Sequence, residues 1–250
     1  MQIPSPTLPA VHHLERPSMW LQLPLSFDLA RMQRDIGQFQ ASDWISHANT
    51  MACESGWHCL PLRSSGGDAR HIGAGDGATF ADTPHLARCP GLQQALDAFD
   101  CETLSVRLMA LAPGASIQAH RDKGTSIADG VTRIHVPVQT SPQVLFTIEG
   151  ETVHFTAGHA WYMDASCLHA VDNRGSTARI HLVIDCITNR WLEALFARAG
   201  FVARPAPKYG AAGIDDGNVR QVIASLRASA TPGGLALADQ LAALADGAAA

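Results

Sequence analysis

Two histidines and an aspartate have the residue types and spacing of a metal site. His120 and Asp122 lie two positions apart, and His169 follows 49 residues after His120. Two imidazoles and one carboxylate can occupy one face of an iron(II) ion and leave the other face open for substrate and O2. Arg179, ten residues after His169, could hold the far carboxylate of a dicarboxylic cosubstrate. This order is typical of iron(II)- and 2-oxoglutarate-dependent oxygenases.

The position of His120 and Asp122 in the predicted secondary structure favours a metal site over a coincidental His-x-Asp sequence. A His-x-Asp pair alone carries little weight in a chain with 12 histidines. His120, however, closes a predicted strand (SIQAH), and residues i and i+2 of a strand project to the same side. Both side chains can therefore meet one ion at a barrel mouth. A surface ion pair between His120 and Asp122 is the alternative.

The sequence Arg-Ile-His occurs twice, and in each case arginine and histidine occupy alternate positions of a predicted strand. In Arg133–His135 and Arg179–His181, the arginine and the histidine face the same way in a strand, and isoleucine faces the other. An arginine directed into an apolar barrel needs an anion, and the C5 carboxylate of 2-oxoglutarate would satisfy it. The alternative is that both units face solvent.

The bulk composition bounds the class of protein. The chain has a net charge of −5 and a pI near 6.1, without a run of Lys or Arg, which argues against nucleic-acid binding. The six cysteines lack a C-x-x-C pair and predict free thiols. No signal peptide and no apolar run long enough for a membrane span is apparent. We therefore expect a cytoplasmic protein.

The middle of the chain predicts an all-β core. Short β-prone runs recur between turn signals, and Glu149-Gly150 is a candidate for a tight hairpin. The predicted strands cover residues 104–111, 116–119, 133–138, 144–148, 152–155, 160–163, 168–171 and 178–186. Eight strands with regular turns predict a sandwich or a jelly-roll barrel.

Helical and irregular segments flank this core. We predict a proline-rich extended leader, a helix over 29–39 capped by Ser26, and a strand over 57–63 with an edge or bulge at Pro61. Residues 64–85 predict a long loop that could serve as a lid. The other predicted helices cover residues 92–99, 191–196, 219–226 (capped by Asp215 or Asp216) and 235–246. We expect three parts. They are an N-terminal part over 1–102, with the leader, helices and loop packed on the barrel, a catalytic core over 103–187, and a helical region over 188–250.

Four segments together resemble the aspartyl/asparaginyl β-hydroxylase family, and the bacterial proline hydroxylases within it. They are SIQAHRD, TRIHVPVQT, VHFTAGHAWYMDASCLHAV and TARIHLVIDC, all within 103–187. The resemblance implies a double-stranded β-helix (cupin-like) with flanking helices, iron bound by His120 and His169, and 2-oxoglutarate bound by Arg179, helped by Arg133 and His135. Animal aspartyl hydroxylases lack the carboxylate ligand, so Asp122 favours the amino-acid hydroxylases. Met109 stands where the aspartyl enzymes carry a serine that helps the cosubstrate.

The resemblance implies hydroxylation of an unactivated C–H of a free amino acid, proline-like or otherwise small. It would consume O2 and 2-oxoglutarate and release succinate and CO2. Arg107, alternating with Met109 on a strand, could hold a substrate carboxylate. The alternatives are hydroxylation of Asp, Asn or another residue within a peptide, a cupin-type metal protein that does not use 2-oxoglutarate, and a vestigial metal site. The oligomeric state stays open.

Overall fold

The computed structural model describes residues 16–73, 79–122, 124–205, 207–211 and 213–247. The chain divides into two compact units, Met1–Val202 and Ala203–Ala250. The part of the predicted leader before residue 16 lies outside the described residues, as do residues 74–78 of the predicted loop. The division at 102/103 and 187/188 stays a prediction.

The first unit begins with short elements that add to one sheet. Strands β1 and β3 flank the barrel strands of that sheet, and β2 and β4 pair with β3. Helix α1 lies between β1 and β2 in sequence, and α2 follows β4. These elements are β1 (Trp20–Ser26), α1 (Leu29–Ile36), β2 (Ile45–Ser46), β3 (Trp57–Ser65), β4 (Phe80–Asp82) and α2 (Pro90–Leu96).

Eight further strands form a double-stranded β-helix, as predicted. They are β5 (Thr103–Leu111), β6 (Ser116–His120), β7 (Val131–Gln139), β8 (Val144–Ile148), β9 (Glu151–Val153), β10 (His159–Met163), β11 (His169–Asn173) and β12 (Arg179–Ile187). The larger sheet contains the order β10-β7-β12-β5, and the smaller sheet has the order β6-β11-β8-β9. All pairings between these strands are antiparallel. This order gives the jelly-roll barrel its two facing sheets.

Alternation along the strands of the larger sheet separates two apolar clusters. Leu108 and Leu182 pack in one cluster with the helices, whereas Met109 and Val183 pack in the other with residues of the smaller sheet. Successive side chains of a strand point to opposite faces, so one strand serves both clusters. Odd-numbered residues of β5, β7 and β12 therefore point into the barrel.

Of four local predictions, the structure confirms the bulge and the hairpin, and it corrects the helix cap and the length of the loop. The register of β3 against β5 shifts between Pro61 and Arg63, which is the predicted bulge. Glu149 and Gly150 join β8 to β9 with φ of 45° and 85°, as a tight hairpin requires. The predicted cap Ser26 belongs to β1, and the side chain of Asp28 caps α1 instead. The predicted loop over 64–85 is shorter, because β3 extends to its start and β4 lies within it.

The C-terminal helices agree with the sequence pattern. Helix α3 (Arg190–Arg198) belongs to the first unit, and α4 (Val219–Ser229) and α5 (Pro232–Asp246) belong to the second. The predicted caps Asp215 and Asp216 are wrong, because Asn218 precedes α4 and makes no side-chain capping bond. No helix in the described part of the chain is long and apolar enough to cross a membrane.

Candidate metal and cosubstrate site

The three predicted metal ligands meet at one end of the smaller sheet. His120 ends β6 and His169 begins β11, and the two residues pair directly in the antiparallel register. The loop after β6 returns Asp122 to the same place, where its backbone N–H donates to the carbonyl of Ala165 at 2.9 Å. One ligand atom from each of the three side chains lies within 4.8 Å of the others. These distances suit a shared cation.

Both histidines have a tautomer suited to metal binding. Nδ1 of His120 lies 2.8 Å from the Gln118 carbonyl oxygen, and Nδ1 of His169 lies 2.9 Å from that of Cys167. A carbonyl oxygen only accepts, so each Nδ1 carries the hydrogen and each Nε2 keeps its lone pair. Burial lowers the pKa of His169 below its ordinary value, which favours the neutral ring that a metal needs.

Asp122 is oriented by Arg133. The guanidinium of Arg133 donates to Oδ2 of Asp122 and also to both oxygens of Asp185, at 2.6 and 3.0 Å. Oδ1 of Asp122 lies 3.6 Å from Nε2 of His120. Burial acts to lower the pKa of Arg133, but Asp185 and Asp122 outweigh it and raise that pKa. The positive charge of Arg133 is thus compensated within the protein.

A second arginine shares Asp185. Nη2 of Arg107 donates to Oδ2 of Asp185 at 2.8 Å, and Nη1 donates to the Ile72 carbonyl at 2.9 Å. Burial acts to raise the pKa of Asp185, but Arg133 and Arg107 hold it below its ordinary value. One buried carboxylate therefore fixes both guanidinium groups at the inner wall of the barrel.

Arg179 differs from these two arginines. Its side chain is 3% exposed, and it has no hydrogen bond or ion pair with the described residues. Its guanidinium carbon lies 5.7 Å from the ring centroid of Phe146. Burial lowers the pKa of Arg179 to about 10, so the group stays protonated at neutral pH. A buried cation without an anion is costly, and a bound carboxylate would relieve that cost.

The two remaining histidines of the Arg-Ile-His units lie behind the site. Nδ1 of His135 and Nδ1 of His181 are 3.4 Å apart, and both rings are buried. Burial and the nearby arginines hold both pKa values well below the ordinary value, so both rings are neutral. Each Nε2 is buried without a partner among the described residues.

These side chains surround one cavity of about 280 Å³. It is lined by His47, Asn49, Trp57, Arg107, Met109, Ile117, His120, Asp122, Thr125, Arg133, His135, Phe146, Met163, His169, Val171 and Arg179. All the predicted site residues are in this set except His181, which contacts His135 behind it.

The sequence reasoning missed His47, Asn49, Trp57, Thr125 and Asp185. Asp185 carried a signal, because the alternation that pairs Arg179 with His181 continues through residue 183 to residue 185 on the same face. His47 and Asn49 precede the predicted barrel by more than 50 residues in the sequence, and no pattern around them indicated a place in the site.

Comparison with curated proteins finds proline hydroxylases. The chain is 26% identical to an L-proline cis-4-hydroxylase of Rhizobium meliloti (strain 1021) over 163 residues, which are 64% of this chain and 58% of that protein. It is 22% identical to L-proline cis-3-hydroxylase 1 of a Streptomyces species over 166 residues, covering 64% and 57%. The matches therefore span less than two thirds of the length of these relatives.

A crystal structure of a Pseudomonas putida prolyl-4-hydroxylase matches with a TM-score of 0.44 and 12% identity, over 68% of this chain and 93% of that one. The strand order described above, rather than this likeness, identifies the fold. Residues 26–189, more than half of the sequence, match the Aspartyl/Asparaginyl beta-hydroxylase family and include every residue of the cavity. The chain belongs to the aspartyl/asparaginyl β-hydroxylase family.

Proposed function

We propose that this protein is an iron(II)- and 2-oxoglutarate-dependent dioxygenase that hydroxylates a C–H of a free, small amino acid. One observation carries the proposal. A single cavity holds two histidines with free Nε2 atoms, a carboxylate, and the buried guanidinium of Arg179, which has no anionic partner among the described residues. The first three groups suit iron(II), and the fourth suits the distal carboxylate of 2-oxoglutarate.

The roles of the residues follow from their surroundings. His120, Asp122 and His169 would hold the iron, and Arg179 would hold the C5 carboxylate of 2-oxoglutarate. When bound, the iron and 2-oxoglutarate supply the oxidising chemistry with O2 and release succinate and CO2. Arg133 holds Oδ2 of Asp122 and leaves Oδ1 for the metal. The apolar wall around Phe146 and Val171 excludes water.

The size of the cavity supports a small substrate. At about 280 Å³, it lies near the lower end of the usual range for small-molecule sites, about 300–1,000 Å³. It must accept both a dicarboxylate and the substrate, which favours a free amino acid over an extended peptide. The names of the curated relatives specify L-proline, a substrate of this size.

Arg107 is the candidate for the substrate carboxylate. It lines the cavity, and its Nε is buried without a partner among the described residues. Its Nη2 and Nη1 donate to Asp185 and to the Ile72 carbonyl, so its position is fixed before a substrate arrives. Hydroxylation of Asp, Asn or another residue within a peptide is the second candidate, and it predicts that rates depend on flanking residues.

Succinate release in the presence of amino acids and short peptides tests the proposal. We expect a small amino acid to stimulate succinate formation by wild type. Arg179→Met should abolish this stimulation, whereas Arg174→Met, which removes an arginine with a 69% exposed side chain, should not. Full activity of Arg179→Met would favour a cupin-type protein that does not use 2-oxoglutarate.

Anaerobic titration with iron(II) tests the metal site separately. Wild type should bind one equivalent of iron(II), and His120→Ala should lose most of that affinity, because one of three ligands is gone. His58→Ala changes a histidine that does not line the cavity and is the control. Equal, weak binding by wild type and His120→Ala would indicate a vestigial site.

A further inference from the structure

His47 brings a polar ring to the cavity from outside the eight-stranded barrel. It follows β2, and its backbone N–H donates to the Trp57 carbonyl at 2.9 Å. The two rings stack with centroids 3.5 Å apart and planes inclined by 11°. The Trp57 ring lies 6.3 Å from the ring of His120, and both stacked rings line the cavity. The stack therefore places an imidazole close to the proposed metal ligands.

The contacts of His47 fix its tautomer. The backbone N–H of Asn49 donates to Nδ1 of His47 at 3.1 Å. A nitrogen that accepts a hydrogen bond carries no hydrogen, so in the neutral ring the hydrogen is on Nε2. Burial, and next the charge of Arg107, lower the pKa of His47 to about 4. At neutral pH the ring is thus an uncharged donor, and its protonated Nε2 does not ligate a metal.

The donors of this stack are unpaired within the described residues. Nε2 of His47 has no hydrogen bond there, and Nε1 of Trp57 is buried without a partner. An unpaired N–H donor in a ligand-sized cavity is a site for an acceptor. The proposed function assigns neither group to the metal or to 2-oxoglutarate, which leaves both donors for the substrate.

We infer that His47 is a substrate-positioning residue, whose Nε2–H, held on the ring of Trp57, donates to an oxygen atom of the amino-acid substrate. A neutral N–H donor suits a carboxylate or carbonyl oxygen. Because the stack and the Asn49 bond fix the ring, the donated hydrogen bond orients the substrate and selects the C–H that faces the metal. The inference rests on the proposed function, since the substrate is defined there.

Two substitutions separate the donor from the ring. His47→Phe keeps an aromatic ring to stack on Trp57 but removes the donor, and His47→Gln keeps an N–H donor without the ring. His58→Phe is the matched control, because His58 pairs with Ser46 in the same strand pair but does not line the cavity. Circular dichroism and thermal unfolding confirm that each variant is folded.

The experiment measures binding without turnover. L-Proline, and then each other proteinogenic amino acid, is titrated calorimetrically into full-length protein loaded with Zn(II) and N-oxalylglycine, an inert analogue of 2-oxoglutarate. We expect His47→Phe to raise the Kd of the best probe about tenfold, the size of one hydrogen bond, with His47→Gln recovering most of the loss. His58→Phe should bind as wild type does. Unchanged binding by His47→Phe would overturn the inference. It would also be overturned if wild type bound none of the amino acids.

Two activity readouts distinguish this inference from the proposed function. With the best amino acid present, the hydroxylated product formed per succinate released should fall in His47→Phe and stay at the wild-type value in His58→Phe, whose histidine does not line the cavity. If binding depends on His47 but succinate never forms, the oxygenase proposal fails and the binding role stands. If an amino acid stimulates succinate release equally in both proteins, with equal product, the positioning role fails alone.

Discussion

Asp185 is a single residue on which two buried arginines depend. Its two oxygens accept hydrogen bonds from Arg107 and Arg133, and it is 2% exposed. Asp185→Asn would leave two guanidinium groups without a buried counter-charge, apart from the contact of Arg133 with Asp122. Breaking a buried pair in this way costs about 3–5 kcal/mol, so we expect a loss of that order in the free energy of unfolding.

Urea unfolding of Asp185→Asn against Asp82→Asn measures this loss. Asp82 pairs with Arg63 at 2.7 Å, but its side chain is 54% exposed, and surface pairs contribute about 0–1 kcal/mol. We expect Asp185→Asn to lose much more free energy of unfolding than Asp82→Asn. Equal small losses would show that the Asp185 network is not a stabilising one.

Arg179 leads to the opposite expectation for stability. Its charge is buried and has no anionic partner among the described residues, so it destabilises the ligand-free protein. Arg179→Met should therefore unfold at an equal or higher temperature than wild type while losing affinity for 2-oxoglutarate. Thermal scans with and without the cosubstrate measure both effects. A clear loss of stability in the ligand-free variant would contradict this account.

At the residue scale, short-range pattern predicted seven of the sixteen residues that line the cavity, including all three of its arginines. Strand alternation placed Arg133 with His135 and Arg179 with His181, and the structure has these four residues in and behind one cavity. The pattern did not reveal which arginine was already neutralised. That depends on Asp122 and Asp185, which reach Arg133 from other strands and loops.

Among the elements, the β8–β9 hairpin supports the segments that carry the proposed metal ligands. Glu149 in its turn accepts hydrogen bonds from the Leu168 N–H at 2.9 Å and from Arg121 at 2.7 Å. Leu168 precedes His169, and Arg121 lies between His120 and Asp122. The turn therefore holds both ligand-bearing segments in place.

Glu149→Ala should weaken iron(II) binding without unfolding the protein. Outer contacts of a metal site are worth about 10–100-fold in affinity, and we expect about tenfold here because this pair is partly exposed. Glu151→Ala is the control, since in the described part of the chain the Glu151 side chain has one ion pair, a long one with Arg16 at 3.4 Å. Anaerobic titration measures the affinities, and equal values for the two variants would refute a supporting role of the hairpin.

Element by element, the barrel, strand β3 and the helices were predictable from the sequence, whereas strands β1, β2 and β4 were not. The eight strands have strong alternation and clear turns, and each begins and ends within two residues of its predicted bounds. Strand β4 has only three residues and follows a segment rich in glycine and aspartate. Its pairing with β3 is a tertiary contact that no local periodicity announces.

Across the whole molecule, buried neutral histidines link stability to pH. Burial lowers the pKa of His47 to about 4 and the pKa values of His135 and His181 well below 6.5. The unfolded chain therefore binds more protons than the folded chain once the pH falls below about 6.5. The contribution of these histidines to the free energy of unfolding is fully present above this pH. It is lost as the pH falls toward their pKa values in the folded protein.

We therefore expect the free energy of unfolding of the metal-free protein to decrease steadily from about pH 7 to about pH 4.5. Asp185 contributes later, because its lowered pKa lies below 3.8. His47→Phe removes one of the titrating groups and should give a shallower decrease. Urea unfolding at several pH values measures the slope, and a flat or rising profile would contradict the prediction.

The hydrogen bonds that set the tautomers of His120 and His169 come from the backbone of their own segments, two residues earlier in each case. No side chain is needed to prepare either ring for a metal. Substitutions around the cavity can therefore alter its shape and charge without changing which nitrogen is free. The backbone of β6 and of the segment before β11 therefore fixes the free nitrogen of each ring, while the side chains that line the cavity set its shape and charge.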